Sequence, residues 1–292
     1  MTTFTGCLTA LITPFREGDL DRKALAELVE QQIAGGVHGL VPCGSTGESA
    51  TLSHQEHLDV VREVVRQTRK RVPVIAGTGS NSTAEAVRLT RGAEEVGADG
   101  ALLISPYYNK PTQEGIYQHY AAVAAATKLP LIVYNIPGRT ASNIAPETLA
   151  RLARVPNIAG VKEATGSLAQ VQETIAAAGP DFAVYAGDDV LTLPIMAVGG
   201  KGVISVTANI APRRMADLAE ALMADDLARA RTSMHALMPL LGVLFIEVNP
   251  IPVKTAAAMM GLCTEEFRLP LTPMSPPNRA KLEAVLREQG LV

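Results

Sequence analysis

Short apolar runs, many of them β-branched, alternate along the chain with longer amphipathic segments. The runs are Gly6–Ile12, Gly39–Pro42, Pro73–Ala76, Gly100–Ile104, Leu131–Tyr134, Ile158–Val161, Ala183–Ala186 and Gly202–Val206. They recur about every 25–30 residues, the spacing of strand–helix units. Between them, Asp21–Ala34 places Leu25, Leu28, Val29 and Ile33 at helical spacing. Ser53-His54-Gln55-Glu56 predicts a capping box, and Ser82-Thr83-Ala84-Glu85 predicts a second. Pro146-Glu147 suits a first helical turn, and Val198-Gly199-Gly200 reads as a helix end.

Eight such units ending near residue 224 predict an α/β fold, a (β/α)8 TIM barrel over residues 1–224. Their even spacing favours closure over a doubly wound open sheet. Beyond Asp225 the pattern changes. Asp226–Leu241, Ile251–Met260 and Pro277–Gln289 read as helices, with Val243–Ile246 ambiguous between helix and strand. Residues 225–292 are expected to form a small C-terminal helical domain.

Composition narrows the function. The 292 residues are 47% hydrophobic and 19% charged, with a net charge of -3. No basic footprint points to nucleic acid. No apolar run reaches membrane-spanning length, so a soluble, cytoplasmic protein is expected. Cys7, Cys43 and Cys263 show no paired spacing and read as reduced thiols, Cys43 as a small buried hydrophobe.

In barrels of this type the chemistry sits where the strands end. The segments there are Gly44-Ser45-Thr46-Gly47-Glu48-Ser49, Gly77-Thr78-Gly79-Ser80-Asn81, Tyr107-Tyr108-Asn109-Lys110-Pro111, Tyr134-Asn135-Ile136-Pro137-Gly138-Arg139-Thr140, Lys162-Glu163 and Gly187-Asp188-Asp189. Lys162 stands out. Burial disfavours an ammonium group, and a lysine can respond by losing its proton, which makes it a nucleophile for carbonyls. The other outcome is an ion pair with Glu163 or another buried carboxylate. The Gly44–Glu48 loop could cradle an anion, but it lacks the Lys-Ser/Thr of a Walker loop. Arg139 could hold a carboxylate, and Tyr134 could relay a proton. His54 and His57 flank Glu56 without a third metal ligand nearby. Asp188-Asp189 could bind a hard cation or cap a helix. Gly199-Gly200-Lys201-Gly202 precedes its strand, so it reads as a helix stop rather than a phosphate loop.

Taken together, these motifs, with Val161-Lys162-Glu163-Ala164-Thr165-Gly166 and Asn249-Pro250-Ile251-Pro252-Val253-Lys254, resemble the pyruvate-dependent class I aldolase family over nearly the whole chain. The resemblance implies a Schiff base between Lys162 and pyruvate, with no metal or organic cofactor. It implies that Tyr134 shuttles protons, with Ser45 and Tyr108 completing a hydroxyl relay, Tyr108 reaching in from a neighbouring subunit. Thr46 would hold the pyruvate carboxylate, Arg139 the second substrate, and Gly187 and Ile204 would supply backbone contacts. Arg139, Tyr107-Tyr108-Asn109-Lys110-Pro111 and Gly187-Asp188-Asp189 favour the branch that condenses pyruvate with L-aspartate 4-semialdehyde on the diaminopimelate route to lysine. Ser45, where that branch usually has threonine, leans toward sister lyases of 2-keto acid sugars such as N-acetylneuraminate lyase. The resemblance also implies a lysine feedback site at Ser49, Ala50, His54, His57, Asn81, Glu85 and Tyr107, and a homotetramer built from two tight dimers.

Overall fold

The computed structural model describes residues 4–292. Eight strands alternate with eight principal helices. They are β1 (Gly6–Ala10), α1 (Arg22–Ala34), β2 (Gly39–Val41), α2 (His54–Thr68), β3 (Ile75–Gly77), α3 (Thr83–Glu95), β4 (Gly100–Ile104) and α4 (Gln113–Ala124). The series continues with β5 (Leu131–Asn135), α5 (Pro146–Leu152), β6 (Ile158–Glu163), α6 (Leu168–Ala178), β7 (Ala183–Ala186), α7 (Thr192–Ala197), β8 (Gly202–Ser205) and α8 (Pro212–Met223). Every expected run carries a strand. β5 extends to Asn135 and β6 to Glu163, so the lysine lies within its strand rather than after it.

All neighbours are parallel, in the order β2-β1-β8-β7-β6-β5-β4-β3. A parallel bridge between Leu40 and Val74 joins the two ends, and the Leu40 amide donates to the Pro73 carbonyl at 2.9 Å. The sheet closes, which removes its edges. Strand alternation then sorts side chains into two layers. Leu8, Val41, Ile75, Leu102, Ile132, Tyr185 and Ile204 fill the interior. Phe4, just ahead of β1, meets Tyr185 there, and the Tyr185 hydroxyl donates to the Phe4 carbonyl at 2.7 Å. The barrel is thus plugged toward the end where its strands begin. The opposite face of each strand packs under the helices. Val60, Val61 and Val64 of α2 are fully covered there, each burial contributing about 1.5–3 kcal/mol.

Local signals hold at several helix starts. Asp21 caps α1 by accepting from the Ala24 amide at 3.0 Å. Ser53 and Glu56 form the complete capping box of α2. The second expected box is not formed: the Ser82 side chain makes no cap bond. Glu85 instead accepts from the Ser80 hydroxyl and lies 2.5 Å from His54 Nε2. Tertiary partners have taken the carboxylate that the local pattern assigned to the helix end. A short hairpin, Phe15–Arg16 with Asp19–Leu20, was not expected. Its turn residues Glu17 and Gly18 both have positive φ, and their amides donate to Glu266 from across the chain.

Three helices follow: α9 (Leu227–Val243), α10 (Ile251–Met259) and α11 (Pro276–Glu288). Asp226 caps α9, which packs along α8. The ambiguous stretch 243–246 begins as the last residue of α9 and then leaves the helix, carrying the chain toward the barrel mouth. Among the described residues, no helix is long and apolar enough to cross a membrane.

Candidate active site

Parallel strands deliver their last residues to one rim, and the inward positions there build a cavity of about 270 Å³. Its wall includes Ser45, Thr46, Tyr134, Arg139, Lys162, Gly187 and Asp188. Tyr134 and Lys162 are register partners on β5 and β6. Both point inward, and the Lys162 Nζ lies 4.3 Å from the centroid of the Tyr134 ring. Lys162 is only 5% exposed. Burial pushes its ammonium group down to about 8, while Asp188 and Asp189 resist through space and Arg139 assists. Burial likewise holds the Tyr134 phenol well above its ordinary range, so it is a neutral proton carrier.

Glu163 is not the partner of this lysine. It occupies the next position of β6 and therefore faces away from the barrel interior. There Asn135 Nδ2 donates to it at 3.2 Å, and the Thr165 amide donates at 3.0 Å. Asn135 and Glu163 are themselves register partners. Their contact pins β5 to β6 directly behind the pair that faces the cavity.

The Gly44–Glu48 loop crosses the end of β3. It lies so close that a Cβ on Gly77 would stand 2.2 Å from the Cys43 carbonyl oxygen. Only glycine fits at that crossing. Within the loop the amides of Gly47 and Glu48 turn back onto the carbonyls of Gly44 and Ser45. Among the described residues, those of Ser45 and Thr46 donate to no protein group. Asn249 Nδ2 donates to Thr46 Oγ1 at 2.9 Å, which leaves the threonine proton free to be donated onward. These donors form a seat for a carboxylate.

Arg139 sits at the mouth on the short helical turn Pro137–Thr140, and its Nη2 donates to the Asn249 carbonyl at 2.9 Å. Asp188 lines the cavity with its carboxyl raised by burial. Asp189 turns away and ties down the segment after β8, accepting from the Val206 and Thr207 amides at 3.1 and 2.7 Å. That network answers neither sequence alternative for the aspartate pair: Asp189 acts as a loop brace.

Two sequence candidates are not among the residues lining the cavity. Ile204, expected to supply a backbone contact only, is buried in the barrel interior. Tyr108 is 88% exposed, with a left-handed φ of 71°, and stands outside the cavity. Conversely, Phe245, Glu247, Val248 and Asn249 wall the cavity without having been expected there. The motif beginning at Asn249 was the available signal, but its spacing on the chain says nothing about which loop it meets.

A second cavity, of about 440 Å³, adjoins the first and shares Ser45, Tyr134, Arg139 and Asn249 with it. Ser49, Ala50, His54, His57, Glu85 and Tyr107 line it. Asn81 stands beside it, donating to the Tyr107 carbonyl at 3.2 Å. The Ser80 hydroxyl holds the Glu85 carboxyl below its ordinary range, with His54 adding to the effect. Burial lowers His57, whose Nε2 must carry the proton because it lies 2.6 Å from the Gly77 carbonyl. The cavity thus offers the Glu85 carboxylate beside hydroxyl and imidazole groups, with the Arg139 guanidinium on the side it shares with the first cavity. Among the described residues, no three His, Cys, Asp or Glu side chains gather as a metal site.

Comparison with known proteins gives this geometry a lineage. The chain is 56% identical over 290 residues to 4-hydroxy-tetrahydrodipicolinate synthase of Nitratidesulfovibrio vulgaris, covering 99% of each. A crystal structure of the chloride-inhibited dihydrodipicolinate synthase of Acinetobacter baumannii complexed with pyruvate is 47% identical, with a TM-score of 0.98 over 99% of this chain and 100% of that one. The dihydrodipicolinate synthase of Cyanidioschyzon merolae with lysine bound is 39% identical, with a TM-score of 0.96 over 99% of both chains. The model of the dihydrodipicolinate synthetase family matches residues 3–289, and the chain belongs to that family.

Proposed function

We propose that the first cavity condenses pyruvate with L-aspartate 4-semialdehyde through a Schiff base on Lys162, forming 4-hydroxy-tetrahydrodipicolinate. The chain is a lyase of the pyruvate-dependent aldolase type. The similarity to synthases over the full length favours this reaction over cleavage of a 2-keto acid sugar. The observation that carries the assignment is a buried lysine at the cavity wall, its charge disfavoured and, among the described residues, met by no carboxylate in salt-bridge contact.

The chemistry then follows. The neutral Lys162 amine adds to C2 of pyruvate and expels water, leaving an iminium. The iminium acidifies the C3 methyl group, which loses a proton to give an enamine. Tyr134 carries protons at this centre. The Ser45 and Thr46 amides and the Thr46 hydroxyl hold the pyruvate carboxylate. The enamine attacks the aldehyde carbon while Arg139 grips the semialdehyde carboxylate at the mouth. The amine of the second substrate finally displaces Lys162 from C2 and closes the ring. Gly187 and Ile204 contribute backbone contacts.

Tyr108 is exposed on a strained backbone, which suits a side chain that enters the site of a neighbouring subunit. We place it in the hydroxyl relay with Tyr134 and Ser45, within a homotetramer made of two dimers. Residues 225–292 act as a helical appendage that supplies one part of the cavity wall, Phe245, Glu247, Val248 and Asn249. The second cavity is the site of feedback by L-lysine, its ammonium group meeting Glu85, with Ser49, Ala50, His54, His57, Asn81 and Tyr107 around it. The enzyme works in the cytoplasm.

Borohydride reduction with pyruvate, followed by peptide mapping, tests the central step. The expected outcome is a pyruvate-derived adduct on Lys162 alone. An unmodified Lys162 in folded protein removes the assignment. Inhibition by millimolar L-lysine tests the second cavity, and light scattering tests the assembly.

A further inference from the structure

Glu48 and Lys254 form an ion pair that is fully shielded from solvent. Lys254 Nζ lies 2.6 Å from Glu48 Oε1, and both side chains are 0% exposed. Phe15 and Phe267 stack on the ammonium group at 4.2 and 5.3 Å. The Arg268 amide donates to the second Glu48 oxygen at 3.3 Å. A buried pair of this kind is weak evidence for stability, because apolar residues of like volume fold as well or better. Its placement suggests another use. Glu48 ends the carboxylate-seat loop in a left-handed conformation, φ 53°. Lys254 lies in the first turns of α10, directly after Asn249 and Pro250. Asn249 holds Thr46 by its side chain and Arg139 by its carbonyl. The segment 249–254 therefore grips the loop at two points, Thr46 and Glu48, and the pair fixes one of them.

We propose that Glu48 and Lys254 are positioning residues for pyruvate, acting through Thr46. They clamp α10 onto the loop so that the threonine hydroxyl and the Ser45 and Thr46 amides meet the substrate carboxylate. This inference rests on the assignment of Lys162 as the Schiff-base residue.

The test replaces both charges by apolar groups of similar volume, Glu48→Met with Lys254→Met. Denaturation midpoint and the pyruvate concentration giving half-maximal borohydride trapping are both measured. The double variant should be as stable as the parent or more so, with half-saturation by pyruvate raised about tenfold, the loss of one charge-assisted hydrogen bond. Glu48→Gln, which keeps volume and a hydrogen bond to Lys254, should give a smaller rise. Adding Thr46→Val to the double variant should bring little further loss, since both changes act on one contact. Unchanged half-saturation in the stable double variant, or a full additive loss with Thr46→Val, overturns the inference. Should the double variant not fold, wild-type half-saturation in Glu48→Gln together with additivity of Glu48→Gln and Thr46→Val overturns it equally. A parent enzyme that is not trapped at Lys162 overturns the Schiff-base assignment, and this inference with it.

Discussion

Replacing Lys162 by methionine should abolish catalysis and stabilise the fold. The ammonium group is disfavoured by burial, which lowers it from 10.5 to about 8. That displacement corresponds to about 3 kcal/mol of disfavoured charge. At pH 7 a group of this kind is still protonated in roughly nine molecules of ten, so the folded state bears nearly the whole cost. Methionine fills similar volume with no charge, and Lys162→Met should gain up to about 3 kcal/mol at pH 7. That ceiling is already net of the attraction from Asp188 and Asp189, which the substitution removes together with the cost of burial. Its pH dependence is specific. Below pH 8 both folded and unfolded parent carry the charged lysine, and the penalty is complete. Between about 8 and 10.5 the folded state binds fewer protons than the unfolded one, so parent stability rises with pH. Above 10.5 both are neutral and the difference disappears. Urea denaturation of parent and variant at pH 7 and pH 9.5 measures this. A variant less stable than the parent at pH 7, or a difference that does not shrink toward pH 9.5, would refute the reasoning. The same depression makes the amine reactive. Roughly one molecule in ten is unprotonated at pH 7, against about one in 3,000 for an ordinary lysine.

Tyr134→Phe keeps the ring under the Lys162 ammonium but removes the proton carrier, and kcat should fall about 10²–10⁴-fold; a change under threefold would take Tyr134 out of the relay. Arg139→Ala should raise the KM for the semialdehyde about 10–100-fold while borohydride trapping at saturating pyruvate proceeds as before. Equal damage to both would show that Arg139 acts on pyruvate. Glu85→Gln should abolish inhibition by L-lysine and spare kcat, as measured by an inhibitor titration at fixed substrate; retained inhibition would move the lysine site elsewhere.

Much was legible in the chain itself. The eight apolar runs place eight strands, because a buried parallel strand must be apolar on both faces, and that requirement is local. Asp21 and Ser53 place helix starts because a cap bonds to amides only two or three residues away. The motifs around Ser45, Tyr134 and Lys162 named the chemistry, and strand alternation put these residues on one rim. What the sequence could not supply depends on partners far along the chain. Glu85 read as a helix cap until Ser80 and His54 claimed it. Glu163 read as a partner for Lys162 until the pleat turned it to Asn135. The meeting of Asn249 with Thr46 spans 203 positions, and that of Lys254 with Glu48 spans 206. Even the reactivity of Lys162 was only an option in the sequence. Its lowered proton affinity comes from the barrel wall that excludes water around it and, among the described residues, from the lack of a carboxylate in salt-bridge contact, and both are properties of the closed fold.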